Sequence, residues 1–284
     1  MSRASASRPE FGLMVAGAVT RGIIGRMKNR GSLIGPVAAV SLRVASRTAN
    51  SLRAGSAVRS VDELDPVRTI LCHSPARHAT TVLALLSGAA IDWPGKNLLF
   101  CDTEIPAGTG DRYRVQGAAV ASITSLGMLN MVVVESDAPA LPAARRVVAE
   151  AGLQGVEIPP GNGARFSAAV ILSTAALTPV IERVAGLFRA AGLRDTGAAR
   201  LAARLISQTA GDYAHSGRQS WPWHVRPPDP EHVAAAVAAA PEAMRPLLSE
   251  LILAGFSDFG KHSAIADRLR SLINIGVDIR PGGV

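Results

Sequence analysis

Seven short apolar runs separated by helix-like segments fill the first 160 residues, and no further one follows until the extreme C-terminus. No other feature of this chain restricts its fold so strongly. The runs are FGLMVAGA (11–18), AAVSLRVAS (38–46), VRTILCHS (67–74), NLLFCD (97–102), GAAVASI (117–123), MVVVES (131–136) and QGVEIP (154–159). Segments such as ARHATTVLALLSGAA and PALPAARRVVAEAG lie between them with helical spacing. Strands that alternate with helices form parallel βαβ units with right-handed crossovers. Beyond residue 160 the segments turn long and alanine-rich, predicting helices at about 164–191, 195–216, 230–239, 241–257 and 261–274, with RPPDP (226–230) as punctuation. The expected fold is therefore α/β: a parallel-sheet domain over 1–160 followed by an all-α domain over 161–284, large enough together to bury two cores.

The first run ends at a glycine and leads into VTRGIIGRMKNRG, which is strand, tight turn, helix. Gly17, Val19 and Gly22 occupy the three key places of a G-x-G-x-x-G turn, so Gly17, Ala18, Val19, Thr20 and Gly22 are candidates to hold a pyrophosphate against backbone N–H groups. This is a Rossmann-type signature with a valine in its middle place. That side chain is expected to push the phosphates outward or force another loop path. At the end of the second run, where an acid would bind the ribose hydroxyls of NAD, stand Ser46, Arg47 and Thr48. A guanidinium between two hydroxyls suits a 2′-phosphate, so NADP(H) is the expected cofactor; the plain alternative is a solvated arginine. Ser74, at the end of the third run, is a further cofactor-binding candidate, beside His73, which is expected to face the same edge; residues 29–36 read as an added loop over the adenosine side.

Composition excludes other classes. The net charge of +8 is spread over scattered arginines and aromatic residues make up 4%, so neither a nucleic-acid tract nor a single-strand platform is expected. Cys72 and Cys101 sit in apolar runs without a CxxC or Cys/His cluster, which predicts no disulfide, no metal site and a reducing cytoplasm. The polar N-terminus does not read as a signal peptide. The longest apolar run, 168–187, contains Pro179, Glu182 and Arg183 and reads as a core helix, with no membrane span expected.

The order and spacing of GAVTRG, GAAVASITSLG (117–127), VVVESDAPALPAARRVVAEAG (132–152), RFSAAVILSTAALTPVIERVAGLFRAAGL (165–193) and LISQTAGDYAHSG resemble one family over nearly the whole chain. It comprises the Rossmann-like oxidoreductases with a C-terminal helical domain of unknown function, related to pyrroline-5-carboxylate reductase and the 6-phosphogluconate dehydrogenase superfamily. The resemblance implies that nicotinamide and substrate meet at the junction of the domains. This sequence departs from the family pattern there: Cys101-Asp102 stands where His is expected, Ser122-Ile123-Thr124-Ser125 replaces Ser-x-His-Pro, and Phe166-Ser167 replaces Tyr-His. A Ser-Asn pair is replaced by Ser173-Thr174.

Hydride transfer needs chiefly a positioned nicotinamide and a proton donor. The candidates left for substrate contact and proton delivery are Asp102, Ser122, Thr124, Ser167, Thr174 and His73. Ser167 and Thr174, seven apart, are expected on one helix face, although a hydroxyl bonded back to its own helix is the commoner fate. Trp221-Pro222-Trp223-His224 reads as a lid or as a packing corner, with Arg218 and Arg226 beside it. The favoured function is an NADPH-dependent reductase of a small carbonyl or imine, working as a homodimer on a small-molecule substrate. A non-catalytic cofactor sensor or scaffold, and a binding module for another nucleotide or phosphorylated metabolite, are the alternatives.

Overall fold

The computed structural model describes residues 10–17, 19, 22–103, 108–127, 129–259 and 262–277, the last four of these by backbone alone. The chain divides into two compact units, Met1–Ala169 and Val170–Val284. Among the described residues the first unit holds an eight-stranded sheet: β1 (Phe11–Val15), β2 (Ile34–Ala39), β3 (Ser56–Ala57), β4 (Thr69–His73), β5 (Asn97–Cys101), β6 (Ala119–Ser125), β7 (Met131–Ser136) and β8 (Gln154–Ile158). Their order is β3-β2-β1-β4-β5-β6-β7-β8. The central strands are buried on both faces, as their unbroken apolar runs require.

Two cores sandwich the sheet. On one face α1 (Ile23–Asn29), α2 (Leu42–Leu52) and α5 (Leu141–Ala151) pack through Ile23, Ile24, Met27, Ala45, Leu52 and Val147. On the other, α3 (Ala76–Gly88) and α4 (Asp111–Val115) cover Ile70, Leu98 and Phe100 through Val82, Leu86 and Tyr113.

Three expectations are corrected here. The second run is not one strand: β2 ends at Ala39, and Ser41 caps α2 by accepting from Val44 N at 3.3 Å. Buried Ala45, Thr48, Ala49 and Leu52 recur at helical spacing, and that periodicity outweighs the alternating pattern read from 38–46. Residues 34–36, expected in an added loop, belong to β2. The sheet is not wholly parallel either: β7 runs antiparallel to β6, because the connection between them is too short for a crossover helix.

The predicted helix at 164–191 is two, α6 (Gly163–Ser173) and α7 (Leu177–Ala190), separated by a turn at 174–176. Nor is it a core helix. Gly163–Ala190 is long and apolar enough to cross a membrane, yet α6 buries no residue, and Ile171 and Leu172 are exposed.

In the second unit α8 (Asp195–Ser216), α9 (Pro230–Ala239), α10 (Arg245–Phe259) and α11 (Ser263–Val277) follow α7. Here the Trp221–Trp223 segment is a packing corner. Trp221 meets Phe256 edge-on at 4.9 Å and Trp223 stacks on Phe256 at 5.7 Å. Gly255 leaves room for the Trp221 indole, whose atoms a Cβ there would meet at 3.1–3.3 Å.

Candidate functional site

Strand order reverses between β1 and β4, and α1 and α3 leave toward opposite faces, which opens a crevice at the carboxyl ends of these strands. Ala16 N donates to His73 O at 2.8 Å, so β1 and β4 stay paired to the crevice floor. Gly17 follows with φ +93°, and a Cβ on it would meet the Pro75 ring at 3.1 Å. Only glycine takes both the left-handed backbone and this approach. Ala18 and Thr20 lie outside the described residues.

Val19 is not the obstacle the motif suggests. It is 2% exposed and belongs to the core beneath α1, beside Val15 and Ile23. Its side chain turns into the protein, so it does not displace a phosphate on the outside of the turn.

Asp102 follows β5 with φ +47°, a left-handed conformation that aspartate tolerates better than most residues. Its carboxylate accepts from Ser125 N at 2.8 Å and from Ile23 N at 3.3 Å. One side chain thereby ties the end of β6 to the start of α1. Gly22 makes space for it, since a Cβ there would stand 2.9 Å from Asp102 Oδ2.

The nucleotide candidates taken from the second run move. Ser46, Arg47 and Thr48 lie inside α2, Thr48 is buried, and only Arg47 among them is exposed. The residues that follow β2 are Val40, Ser41, Leu42 and Arg43, with Arg43 exposed in the first turn of α2 and Arg47 one turn along the same face. Ser74 is buried, and its hydroxyl donates to Pro75 O at 3.1 Å, so it turns away from solvent. His73 Nδ1 donates to Cys101 O at 2.9 Å, since a carbonyl can only accept. That leaves Nε2 to face other partners.

Beside the crevice a cavity of about 770 Å³ opens within the first unit. Asp102, Ser122, Thr124 and Ser167, four of the predicted residues, line it; His73 and Thr174 do not. Ser122 and Thr124 share one face of β6 with Val120, and Ser167 is exposed on α6. Thr174 belongs to the second unit, after the end of α6, where its hydroxyl donates to Val170 O at 2.6 Å. The shared helix face expected for Ser167 and Thr174 is lost with the helix.

Thr103, Arg114 and Glu135 are among the lining residues of this cavity that sequence reasoning missed. Thr103 accepts from Ser74 N at 3.1 Å and its hydroxyl lies 3.0 Å from both Cys72 O and Cys101 O, clipping β4 to β5. Arg114 is held by Asp111 at 2.6 Å and Asp137 at 3.0 Å. Glu135, on β7, accepts from Gly161 N at 2.5 Å. The signal for Glu135 was a lone acid in an otherwise apolar strand, MVVVES. The two cysteines play no part: both are buried free thiols, and burial pushes Cys72 up to about 12, far from a reactive thiolate.

The fold has close counterparts among solved structures. An imine reductase from Aspergillus terreus in complex with NADPH4 and dibenz[c,e]azepine matches at a TM-score of 0.63 and 15% identity, over 97% of this chain and 95% of that one. This chain has the fold of the imine reductases. A reductive aminase from Aspergillus terreus in complex with NADPH and ethyl levulinate matches at 0.59 and 15%, over 97% and 95% of the two chains. An imine reductase from Myxococcus stipitatus in complex with NADP+ matches at 0.58 and 15%, over 95% and 94%. No family model matches the chain, and no curated protein matches it in sequence.

Proposed function

We propose that the chain is an NADPH-dependent reductase of a small carbonyl or imine, with the dinucleotide along the β1/β4 crevice and the substrate in the adjoining cavity. The observation that carries this reading is the placement of Asp102. It lines the cavity and also holds Ile23 N beside Gly22, so the nucleotide turn and the cavity share one carboxylate. Solved structures of this fold that hold NADPH or NADP+ support the cofactor. The described part of the turn fits it: Gly17 supplies the tight bend, Val19 is folded inward, and no acid stands at positions 40–43 to repel a 2′-phosphate.

Ser41 and Arg43 would face the 2′-phosphate, with Arg47 one turn behind. When bound, the nicotinamide supplies the hydride. The hydroxyls of Ser122 and Thr124 would orient the acceptor group, and His73 Nε2 would meet a ribose hydroxyl or, when protonated, donate. A charge-assisted contact of about 1.5–3 kcal/mol sets affinity by one to two decades. Arg43→Ala is therefore expected to weaken NADPH to that extent and spare NADH in calorimetric titration; equal weakening of both would remove Arg43 from the site. The commitment of both Asp102 oxygens to backbone N–H groups is what favours a non-catalytic cofactor-binding protein. NADPH binding without turnover of any cyclic imine or ketone would point there.

The assembly is proposed to be a homodimer in the cytoplasm. Its support is the bare apolar surface: α6 buries nothing, and α8 exposes Leu201, Leu205 and Tyr213. Apolar side chains left bare on these helices are the kind of surface that a partner covers. Light scattering at micromolar concentration should give twice 29.4 kDa, and a monomeric mass would overturn the proposal.

A further inference from the structure

We infer that Thr103 is a positioning residue for His73: it holds the imidazole at the crevice in its Nδ1–H form, so that Nε2 is offered to a bound molecule as a hydrogen-bond acceptor. The inference deepens the reductase reading, on which it rests for the crevice being the place of the nucleotide. The β4–β5 ladder ends at the pair Cys72 and Phe100. Beyond it the left-handed backbone of Asp102, at φ +47°, turns the chain, and side chains take over the pairing that backbone groups no longer make.

The Thr103 hydroxyl brackets His73. It accepts from the N–H of the next residue, Ser74, at 3.1 Å and stands 3.0 Å from the carbonyl of the preceding one, Cys72. His73 closes the arrangement with its own side chain, Nδ1 donating to Cys101 O at 2.9 Å, and the same carbonyl lies 3.0 Å from Thr103 Oγ1. Ser74 and Thr103 are both buried, so water cannot replace this hydroxyl unless the strand ends open. A carbonyl accepts and never donates, which keeps the proton of the neutral imidazole on Nδ1 and the lone pair on Nε2. Nε2 makes no hydrogen bond among the described residues. A ligand hydroxyl or amide N–H would gain a bond there, and a carbonyl would gain none.

The test observes the full chain, isotope-labelled at its histidine nitrogens, by long-range proton–nitrogen NMR at alkaline pH, where imidazoles are neutral. No cofactor is added, and His73→Phe identifies the signal. Wild type is expected to show His73 in the Nδ1–H form alone, against the Nε2–H form that free imidazole favours in water. Thr103→Val keeps the shape without the hydroxyl and is expected to release His73 to a mixture of the two, and Thr103→Ser to restore the wild-type signature. A mixture in wild type, a T103V signal like wild type, or a T103S signal like T103V would each overturn the inference. Should T103V fail to fold, Thr103→Cys takes its place with the same outcomes, since a thiol is only a weak donor and acceptor. In NADPH titration T103V and H73F are each expected to weaken binding by about two- to tenfold, the range of a neutral hydrogen bond, and the double variant no more than H73F alone. Additive losses would overturn the action of Thr103 through His73. Failure of the reductase reading appears separately, as absent NADPH binding in wild type, and leaves the NMR result standing.

Discussion

Asp102→Ala is expected to lower stability by about 2–4 kcal/mol and to weaken NADPH binding together with it. The carboxylate accepts from two backbone N–H groups on different elements, Ile23 N and Ser125 N. Hydrogen bonds to a charged acceptor contribute about 1.5–3 kcal/mol each, discounted here because Ser125 is exposed. Alanine would also have to hold φ near +47°, which a residue without a short polar side chain adopts at a further cost of roughly 1–2 kcal/mol. Asparagine tolerates that backbone and keeps one acceptor, so Asp102→Asn should lose about half as much. Urea unfolding gives the first quantity and NADPH titration the second. An alanine variant as stable as wild type, with unchanged NADPH affinity, would show that Asp102 ties nothing together.

Phe256→Ala should have an effect of similar size confined to the helical unit, about 3–5 kcal/mol for a buried aromatic ring. Phe256 is 3% exposed and packs against both Trp221 and Trp223. It belongs to a small core, shared with Val233, Val237, Ala266, Leu269 and Ile273. Losing the ring from so few partners should make this unit melt first, splitting the calorimetric transition in two. Tryptophan emission reports which half opens, because Trp93 is buried in the first unit while Trp221 and Trp223 sit in the second. A single transition at the wild-type temperature would mean that the aromatic corner is not what holds these helices.

Much of the fold was legible because its signals are local. NLLFC and TILCH are continuous apolar runs, which only a strand covered on both faces explains at that length. Gly17 was legible as a turn glycine, and its +93° φ is the reason. The error at 38–46 arose from competing periods in one short stretch; Ser41 as a helix cap would have resolved it. The long helix at 164–191 was misjudged because composition does not reveal a turn at 174–176. Glu135 and Arg114 went unseen because each matters through a partner far away in sequence, Gly161 for one and Asp137 for the other.

The sequence alone determined the alternation of strands and helices, the shift to helices near residue 160, and the glycine at the nucleotide turn, since each is written in neighbouring residues and the backbone geometry they prefer. Tertiary structure decided the direction of side chains. Val19 went inward to the core, Asp102 went to two backbone N–H groups, and Glu135 came to stand opposite Ser122 on a cavity wall. Those outcomes depend on which strand lies beside which, and strand order is set by long-range packing that no local window of residues contains.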